Sequence, residues 1–185
     1  MENLNLIFIS SFLVLLLIIS VVLTILFSFN LIAFIFEIFY YFKTKTPFGR
    51  SNIKLVKEFF DTLDLKDKIF IDLGSGNGMI IFEAAKRGAK SIGYEINVFL
   101  YVVSLLKAKI LKIKNVEILR EDFRKANLSQ ADFLYLYLTP RVLREIENFI
   151  FENSKKGCQI ITFDFRFPNI QPKYIFKNRI YIYEK

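Results

Sequence analysis

The amino-terminal part of the chain is a long run without charged residues, which leaves few structures open to it. None of the 34 positions between Glu2 and Glu37 is Asp, Glu, Lys or Arg, and residues 6–28 are almost wholly apolar. A helix rises about 1.5 Å per residue, so about 20 such residues cross a hydrocarbon core of about 30 Å. The run is too long for a signal peptide and has no basic segment before it. We therefore predict a retained transmembrane helix over about residues 6–28, in preference to a buried helix of a soluble protein.

A second apolar stretch follows this predicted helix. Residues 31–42, LIAFIFEIFYYF, are too short for another crossing and are rich in Phe and Tyr, which favour the membrane–water interface. We therefore expect residues 1–42 to form a single-pass membrane unit with an aromatic interfacial extension. Residues 43–50 are predicted to be a basic linker, and residues 51–185 a separate domain. The positive charges after the helix predict that this domain lies on the cytoplasmic side. For a eukaryotic source, the alternative is that the anchor directs the protein to mitochondria.

The net charge, the single cysteine and the absence of histidine limit which classes of function are open to the rest of the chain. All 26 Lys and Arg residues lie at or after Lys43, together with 16 of the 18 acidic residues, so this part carries a net charge of +10. Such a surface attracts anionic lipid, nucleic acid or an acidic protein, and the membrane helix favours lipid; a merely solvated basic surface has the same composition. With Cys158 as its one cysteine and no histidine, the chain cannot form an intrachain disulfide, a usual zinc site or a Ser-His-Asp triad. We predict no metal site and a core position for Cys158.

Short apolar stretches alternate with helical patterns from residue 51 onward. The stretches KIFIDL, KSIGYE, VEILRE, DFLYLYL and CQIITFD are predicted to be buried strands. Strands separated by helices are typical of a parallel sheet that is covered on both faces. The last stretch, KYIFKNRIYIYEK, has two β runs around Asn178 and Arg179 and predicts a closing antiparallel hairpin. The predicted fold is an α/β, Rossmann-like doubly wound sheet.

The sequence DLGSGNG, residues 72–78, lies where the first predicted strand turns into a helix. Its three glycines let the backbone bend tightly and approach a ligand without a Cβ in the way, and the helix offers free N–H groups. Met79 stands where a dinucleotide motif needs glycine, and the Gly-Lys-Ser/Thr ending of a P-loop is absent. Asp72 would attract an ammonium group and repel a pyrophosphate. The loop therefore predicts a site for a nucleoside that carries an amino acid.

Acidic residues follow the next two predicted strands. Glu95 ends the second strand, where a carboxylate can accept both hydroxyls of a ribose. Asp122 follows the third strand, where its carboxylate or the adjacent backbone can accept from an adenine amino group while Phe123 packs on the base. Each acid alone is also compatible with a cap, a turn or a surface position. Together they predict a cofactor site of Asp72, Gly74, Ser75, Gly76, Gly78, Glu95, Asn97, Asp122 and Phe123, with Asn97 also expected to cap the next helix.

This arrangement resembles the class I, seven-strand S-adenosylmethionine-dependent methyltransferases over about residues 51–185. The resemblance implies a seven-stranded sheet and S-adenosylmethionine as cofactor. It also implies roles: Asp72 and the glycine loop at the methionine part, Glu95 at the ribose and Asp122 at the adenine.

A narrower similarity is to the membrane-anchored protein-lysine methyltransferases of mitochondria, which act on the ADP/ATP translocase and the ATP synthase c-subunit. It is carried by IDLGSGNGMIIFEAAKRGAKSIGYEIN, ILREDFRKANL, YLTPRVLREIENFI and FRFPNIQP. This chain departs from the family pattern at Asn77, Val98 and Phe123, mostly toward the substrate side. The similarity therefore implies a lysine acceptor on a membrane protein or membrane-bound complex and leaves the target open.

Methyl transfer is an in-line displacement, so we name acceptor-side residues and no catalytic nucleophile. Tyr137, Thr139 and Pro140 follow the fourth strand and are expected on the acceptor side, with Tyr135 in the core. Phe167 either covers the acceptor or packs the hairpin. The Asp/Asn-Pro-Pro-aromatic stretch of nucleic-acid amino-methyltransferases is absent here, which counts against a nucleic-acid partner. Two alternatives remain open: a lipid or small-molecule acceptor, and a membrane-tethered binding protein without activity.

Overall fold

The computed structural model describes the backbone of residues 2–44 and 52–185, and the side chains of residues 11–35 and 52–185. The chain divides into two compact units, an amino-terminal helix and a globular α/β unit. The predicted linker, residues 43–50, lies mostly outside the described residues. The predicted start of the globular domain at residue 51 also lies outside them.

Helix α1 is continuous from Glu2 to Thr44. Its segment Ser11–Ile35 is long and apolar enough to cross a membrane, and its side chains are exposed. Four polar side chains within it, at Ser20, Thr24, Ser28 and Asn30, donate hydrogen bonds to carbonyls of the preceding turn. Each of these donors is thus satisfied within the helix, as a segment in lipid requires. The aromatic interfacial role of residues 31–42 stays a prediction, because the side chains beyond Ile35 are not described.

The globular unit is a seven-stranded sheet in the order β3-β2-β1-β4-β5-β7-β6, in which the strands up to β5 are parallel and β7 is antiparallel. This confirms the predicted α/β sheet and its closing hairpin. In chain order the elements are α2 (Ile53–Phe60), β1 (Ile69–Leu73), α3 (Met79–Lys86), β2 (Lys90–Tyr94), α4 (Val98–Ile110), β3 (Val116–Leu119), a 3-10 turn (Phe123–Lys125), β4 (Phe133–Leu136), α5 (Pro140–Asn153), β5 (Gln159–Phe163), β6 (Tyr174–Phe176) and β7 (Ile180–Glu184).

Strand β1 supplies both core layers, because successive side chains of a strand point to opposite faces. Phe70 joins the layer under α2 and α3, where its ring meets that of Phe60 edge-on at 5.3 Å. Ile71 and Leu73 join the layer under α5. The alternation places Asp72, two residues after Phe70, on the face that α3 covers. The buried acid is therefore a consequence of the register of β1.

The strand order reverses at β1, which pairs with β2 on one side and β4 on the other. Helices leave the sheet in opposite directions at such a point and open a crevice beyond the carboxyl ends of the strands, where ligands of doubly wound sheets bind. The DLGSGNG loop begins at this crevice, since it continues directly from β1.

The closing hairpin and Cys158 agree with their predictions. Lys177 and Asn178 have φ values of 47° and 55°, the pair of positive angles that a two-residue hairpin turn requires. The Arg179 N–H donates to the Phe176 carbonyl across this turn at 3.1 Å. Cys158 lies in the core, and burial raises the pKa of its thiol to about 12.

Candidate cofactor and acceptor site

The glycine loop folds back on the end of β2. Gly74, Gly76 and Gly78 have φ values of 96°, 55° and 81°, which residues with a side chain rarely adopt. The N–H groups of Gly74 and Ser75 both donate to the carbonyl of Tyr94, at 3.0 and 2.9 Å. The loop therefore needs glycine for its conformation and is fixed to the neighbouring strand by its own backbone.

Gly93, within β2, packs against the glycine loop and was not singled out from the sequence. A Cβ built there would lie 2.7 Å from Ser75 Oγ and 2.8 Å from Ile81 Cδ1. The loop and the first turn of α3 can approach β2 this closely only because residue 93 has no side chain. The signal in the sequence was a glycine in the interior of an apolar strand, which often marks a close approach of another segment.

Asp72 is almost completely buried, with 3% of its surface exposed. In the sheet it lies between Gly93 of β2 and Tyr135 of β4. Burial raises its pKa well above the usual range, and the nearby Glu95 carboxylate adds to the effect. Among the described residues, no hydrogen bond offsets this cost. A cationic ligand group beside Asp72 would compensate the charge.

Glu95 joins the glycine loop to the start of α4. Its Oε2 accepts from the Gly76 N–H at 2.8 Å, and its Oε1 accepts from the Asn97 N–H at 2.7 Å. The residue is 5% exposed, and burial raises its pKa although these N–H groups favour the charged form. The structure thus brings Asp72, Glu95 and the glycine loop together, as predicted.

The polar atoms of Asn97 and Asp122 are partly committed to capping. Asn97 Oδ1 accepts from the Phe99 N–H at 2.9 Å and caps α4, which confirms that prediction. Asp122 caps the 3-10 turn by accepting from the Arg124 N–H at 3.0 Å, and it also binds the Arg124 guanidinium at 3.2 Å. This turn-capping role was the alternative to adenine recognition. The Phe123 ring is half-buried with the Arg124 guanidinium 5.7 Å from its centroid, and its contact with a base, like that of the backbone at residue 122, stays a prediction.

S-Adenosylmethionine fits the groups that the loop leaves unpaired. Ser75 Oγ is buried and has no hydrogen-bond partner among the described residues. The Asp72 carboxylate suits the ammonium of the methionine part. Gly74 is exposed, and a Cβ there would be in ordinary contact with Leu138 Cδ2, at 3.5 Å. The Gly74 backbone is therefore accessible to a ligand, with the Leu138 side chain next to it.

An aromatic and charged cluster lies where β4 and β5 end. The Tyr137 ring meets Phe163 edge-on at 5.1 Å and stacks with Phe165 at 6.5 Å and 19°. Asp164, with a φ of 61°, is held by the Arg179 guanidinium at 2.5 and 2.8 Å. Burial and the neighbouring Asp164 carboxylate raise the pKa of Tyr137, so its hydroxyl stays protonated. We call Tyr137, Phe165, Asp164 and Arg179 the acceptor cluster, after Tyr137, the one of the four that is a predicted acceptor-side residue.

The other predicted acceptor-side residues divide between two places. Thr139 occupies the N-cap position of α5 without a capping hydrogen bond from its side chain, and Pro140 is exposed at the first turn. Phe167 is 1% exposed and packs against Phe151 and Tyr183 in the core layer under α5, so it does not join the acceptor cluster. Packing was the alternative for this residue. Phe165, two residues before Phe167, is 37% exposed and stacks on Tyr137.

Tyr135 lies in the core, as predicted. Asp164 and Arg179 were not singled out from the sequence. The signal for Asp164 was a carboxylate between two aromatics directly after a strand. The sequence held no signal for Arg179, because it lies 15 residues from Asp164 and only the fold brings the two together.

The sheet order, the glycine loop and the acids at the strand ends define a class I S-adenosylmethionine-dependent methyltransferase. The family model described as "ANTKMT methyltransferase domain" matches residues 72–174. The chain belongs to this family, and S-adenosylmethionine is its cofactor.

Two of the curated relatives are lysine N-methyltransferases at modest identity. The ATP synthase c-subunit lysine N-methyltransferase of Xenopus laevis is 27% identical over 131 residues, which is 70% of this chain and 58% of that protein. The adenine nucleotide translocase lysine N-methyltransferase of Mus musculus is 26% identical over 132 residues, again 70% of this chain and 58% of that protein. The chain thus spans less than two thirds of the length of these relatives.

Solved structures share the fold. An RNA methyltransferase from Salinibacter ruber, in complex with S-adenosyl-L-homocysteine, aligns with a TM-score of 0.68 and 25% identity. The alignment covers 74% of this chain and 93% of that one. TYW2 from M. jannaschii, in complex with AdoMet, has a TM-score of 0.52 at 20% identity over 63% of this chain and 52% of its own, which shows the fold alone.

Proposed function

We propose that this methyltransferase transfers methyl groups to a lysine side chain of a membrane protein or membrane-bound complex, and that α1 anchors it in the same membrane. The observation that carries the proposal is the acceptor cluster at the ends of β4 and β5, where Tyr137 precedes Leu138, a side chain 3.5 Å from a Cβ built on Gly74. It combines aromatic faces with a carboxylate at the end of the sheet where the cofactor loop lies. The aromatic faces suit a lysine ammonium before it loses its proton, whereas the carboxylate is already paired with Arg179.

The proposed cofactor contacts follow from the geometry of the loop. Asp72 would bind the ammonium of the methionine part, with Ser75 Oγ and the glycine backbone around it. Glu95 would accept from the ribose hydroxyls, and Phe123 with the backbone of Asp122 would hold the adenine. S-Adenosylmethionine supplies an electrophilic methyl group on a sulfonium. The chain's own task is to orient the acceptor and exclude water.

The acceptor lysine must arrive without its proton, since an ammonium has no lone pair. The ordinary pKa of a lysine side chain is about 10.4, and both desolvation and a nearby positive charge lower that value. The Asp164 carboxylate is neutralised by Arg179, and Tyr137 stays protonated, so the cluster offers no strong base. We therefore propose that the cluster positions the amine and that the proton leaves to solvent.

The membrane anchor is supported by the length, apolarity and exposure of Ser11–Ile35. Lysine as the acceptor is supported by the relatives named for the ATP synthase c-subunit and the adenine nucleotide translocase.

The test is methyl transfer by the full chain in membranes. Purified chain would be reconstituted with membranes from cells that lack it, supplied with isotope-labelled S-adenosylmethionine, and the proteins analysed by mass spectrometry. We expect labelled mono-, di- or trimethyl-lysine on a membrane protein. The label should be lost with Asp72→Ala and kept with Asp64→Ala, which removes an exposed carboxylate of the same domain. Equal labelling by the wild type and Asp72→Ala would contradict the proposal.

RNA is a second candidate acceptor, favoured by the basic domain and by the similarity to the Salinibacter ruber enzyme. The same incubation separates the candidates when protein, lipid and RNA fractions are counted for label. Label in RNA or lipid, with none on lysine, would replace the lysine proposal. Cofactor binding without label in any fraction would indicate a binding protein.

A further inference from the structure

Helix α4 exposes an apolar surface on the outside of the globular unit. Ser104 is its one fully buried residue, and Tyr101 and Ala108 are the partly buried side chains that pack against the core. Large aliphatic side chains elsewhere on the helix and at its two ends are exposed. We call this surface the α4 apolar face; its members are Ile96, Val98, Val102, Leu105, Leu106, Ile110 and Leu111, exposed by 40% to 75%.

Helix α5, the other long helix of the globular unit, exposes polar and not large apolar side chains. Helix α5 buries Val142, Leu143 and Ile146 and turns Arg144 and Glu145 to solvent, as expected for a helix on the surface of a soluble domain. A helix that is apolar on all sides is ordinarily enclosed by other structure. A contiguous set of exposed large aliphatic side chains marks an interaction surface.

Charge beside the α4 apolar face indicates what covers it. Four lysines lie within and directly after the last turn of α4: Lys107, Lys109, Lys112 and Lys114. No acidic residue occurs between Glu95 and Glu117. Lys112 has a φ of 50° at the position after the helix where glycine is usual, so a charged side chain stands here despite the backbone cost. Exposed aliphatic residues bordered by lysines match the interface of an anionic bilayer.

We propose that the α4 apolar face docks on the surface of the membrane that holds α1, with its aliphatic side chains among the acyl chains and its four lysines at anionic headgroups. This inference rests on the proposed anchor. Seven residues, 45–51, join α1 to the described globular unit. The tether is therefore short, and docking costs little translational freedom because the domain is already held near the bilayer. Docking would fix the orientation of the domain toward substrates in that membrane.

The test uses a fluorescent label at Leu106 in the full chain. Cys158, the sole cysteine, is buried and its thiol pKa is raised to about 12, so an introduced Leu106→Cys is the group that reacts. The control site is Asn148→Cys, an exposed position on α5. Each variant, carrying an environment-sensitive dye, is reconstituted at low density into phosphatidylcholine vesicles with or without phosphatidylglycerol. Aqueous iodide and spin-labelled lipid are the two quenchers.

We expect the dye at residue 106 to shift to the blue, resist iodide and be quenched by spin-labelled lipid when phosphatidylglycerol is present, while the dye at residue 148 stays accessible to iodide. Replacing the four lysines by glutamine should weaken this protection by about five-fold for each lysine lost. Because all the substituted side chains are at least partly exposed, the fold should survive, and retained S-adenosylmethionine binding would verify it.

Two results would overturn the inference. Equal iodide access at residues 106 and 148 in anionic vesicles would show that α4 faces water. A blue shift that lacks lipid quenching and grows with protein density would show that a second copy covers the face. Extraction of the chain from vesicles by alkaline carbonate would refute the anchor and the docking together. A failure to find a methylated lysine would instead affect the proposed acceptor alone.

Discussion

The Glu95 carboxylate holds the glycine loop by accepting the Gly76 N–H at 2.8 Å. Its other oxygen accepts the Asn97 N–H, at the point where α4 begins. Glu95, which is predicted to accept from the ribose hydroxyls, therefore also stabilises the loop in the absence of a ligand. A ribose that bonds to Glu95 would meet a carboxylate whose position is already fixed by two backbone donors.

Replacement of Glu95 should therefore affect both stability and cofactor binding. Glu95→Ala leaves the buried Gly76 N–H and the partly buried Asn97 N–H without this acceptor, and we expect the free energy of unfolding to fall by about 1–3 kcal/mol. S-Adenosylmethionine affinity should fall at least ten-fold. Glu95→Gln keeps one carbonyl acceptor and should recover part of both. Denaturant unfolding and calorimetric titration measure the two effects; unchanged affinity in Glu95→Ala would remove this residue from the cofactor site.

Asp72→Asn should stabilise the cofactor-free protein and weaken cofactor binding. The buried carboxylate has a raised pKa, so its ionisation opposes folding. In the wild type, stability is lost as the pH rises from the ordinary carboxyl range through the raised pKa, because the unfolded state gives up its proton first. The asparagine variant should lack this loss. Melting temperatures across pH would show it, and a lower melting temperature for Asp72→Asn at neutral pH would contradict it.

Cofactor binding should release protons. The ligand ammonium favours ionised Asp72, and the ribose hydroxyls favour ionised Glu95, whereas both carboxyls have raised pKa values in the free protein. The affinity for S-adenosylmethionine should therefore increase as the pH rises toward the raised pKa values of these two carboxyls. Calorimetry in two buffers of different ionisation enthalpy counts the released protons. Asp72→Asn should release fewer, and an identical count would place the titrating group elsewhere.

Gly93→Ala should disturb the loop from the neighbouring strand. The added methyl would meet Ser75 and Ile81 at under 3 Å, and overpacking of this kind costs about 1–3 kcal/mol. We also expect weaker cofactor binding. The matched control is Gly157→Ala, which has open space but a φ of 83°, so it should cost about 1–2 kcal/mol of stability and leave binding unchanged. Equal binding in both variants would show that the clearance at Gly93 serves folding alone.

Phe165→Ala tests the acceptor cluster. The ring is partly exposed and stacks on Tyr137, so its loss should change stability little. The loss of an aromatic face beside a lysine ammonium should lower kcat/KM for the acceptor by about 2- to 30-fold, with cofactor affinity unchanged. Tyr174→Ala, another exposed aromatic, is the control and should retain activity. If the two variants are equally active, Phe165 lies outside the acceptor site.

Much of the fold could be predicted from the sequence because its signals are local. Apolar runs of strand length, their alternation with helical patterns and the glycine spacing after β1 depend on neighbouring residues, and they predicted the sheet, its hairpin and the loop. The positions of Asp72 and Glu95 at strand ends followed from the same patterns. These local patterns indicate which backbone conformation each residue favours and which residues are buried.

What the tertiary structure decided was which distant residues meet. The clearance that Gly93 gives to Ser75, the bond from Gly76 to Glu95, and the pairing of Asp164 with Arg179 each join different elements of the chain. The packing of the sheet put Phe167 in the core and Phe165 beside Tyr137, although both lie in one short segment. It also left the α4 apolar face open. Sequence patterns specify local preference, whereas contacts between segments depend on how those segments pack.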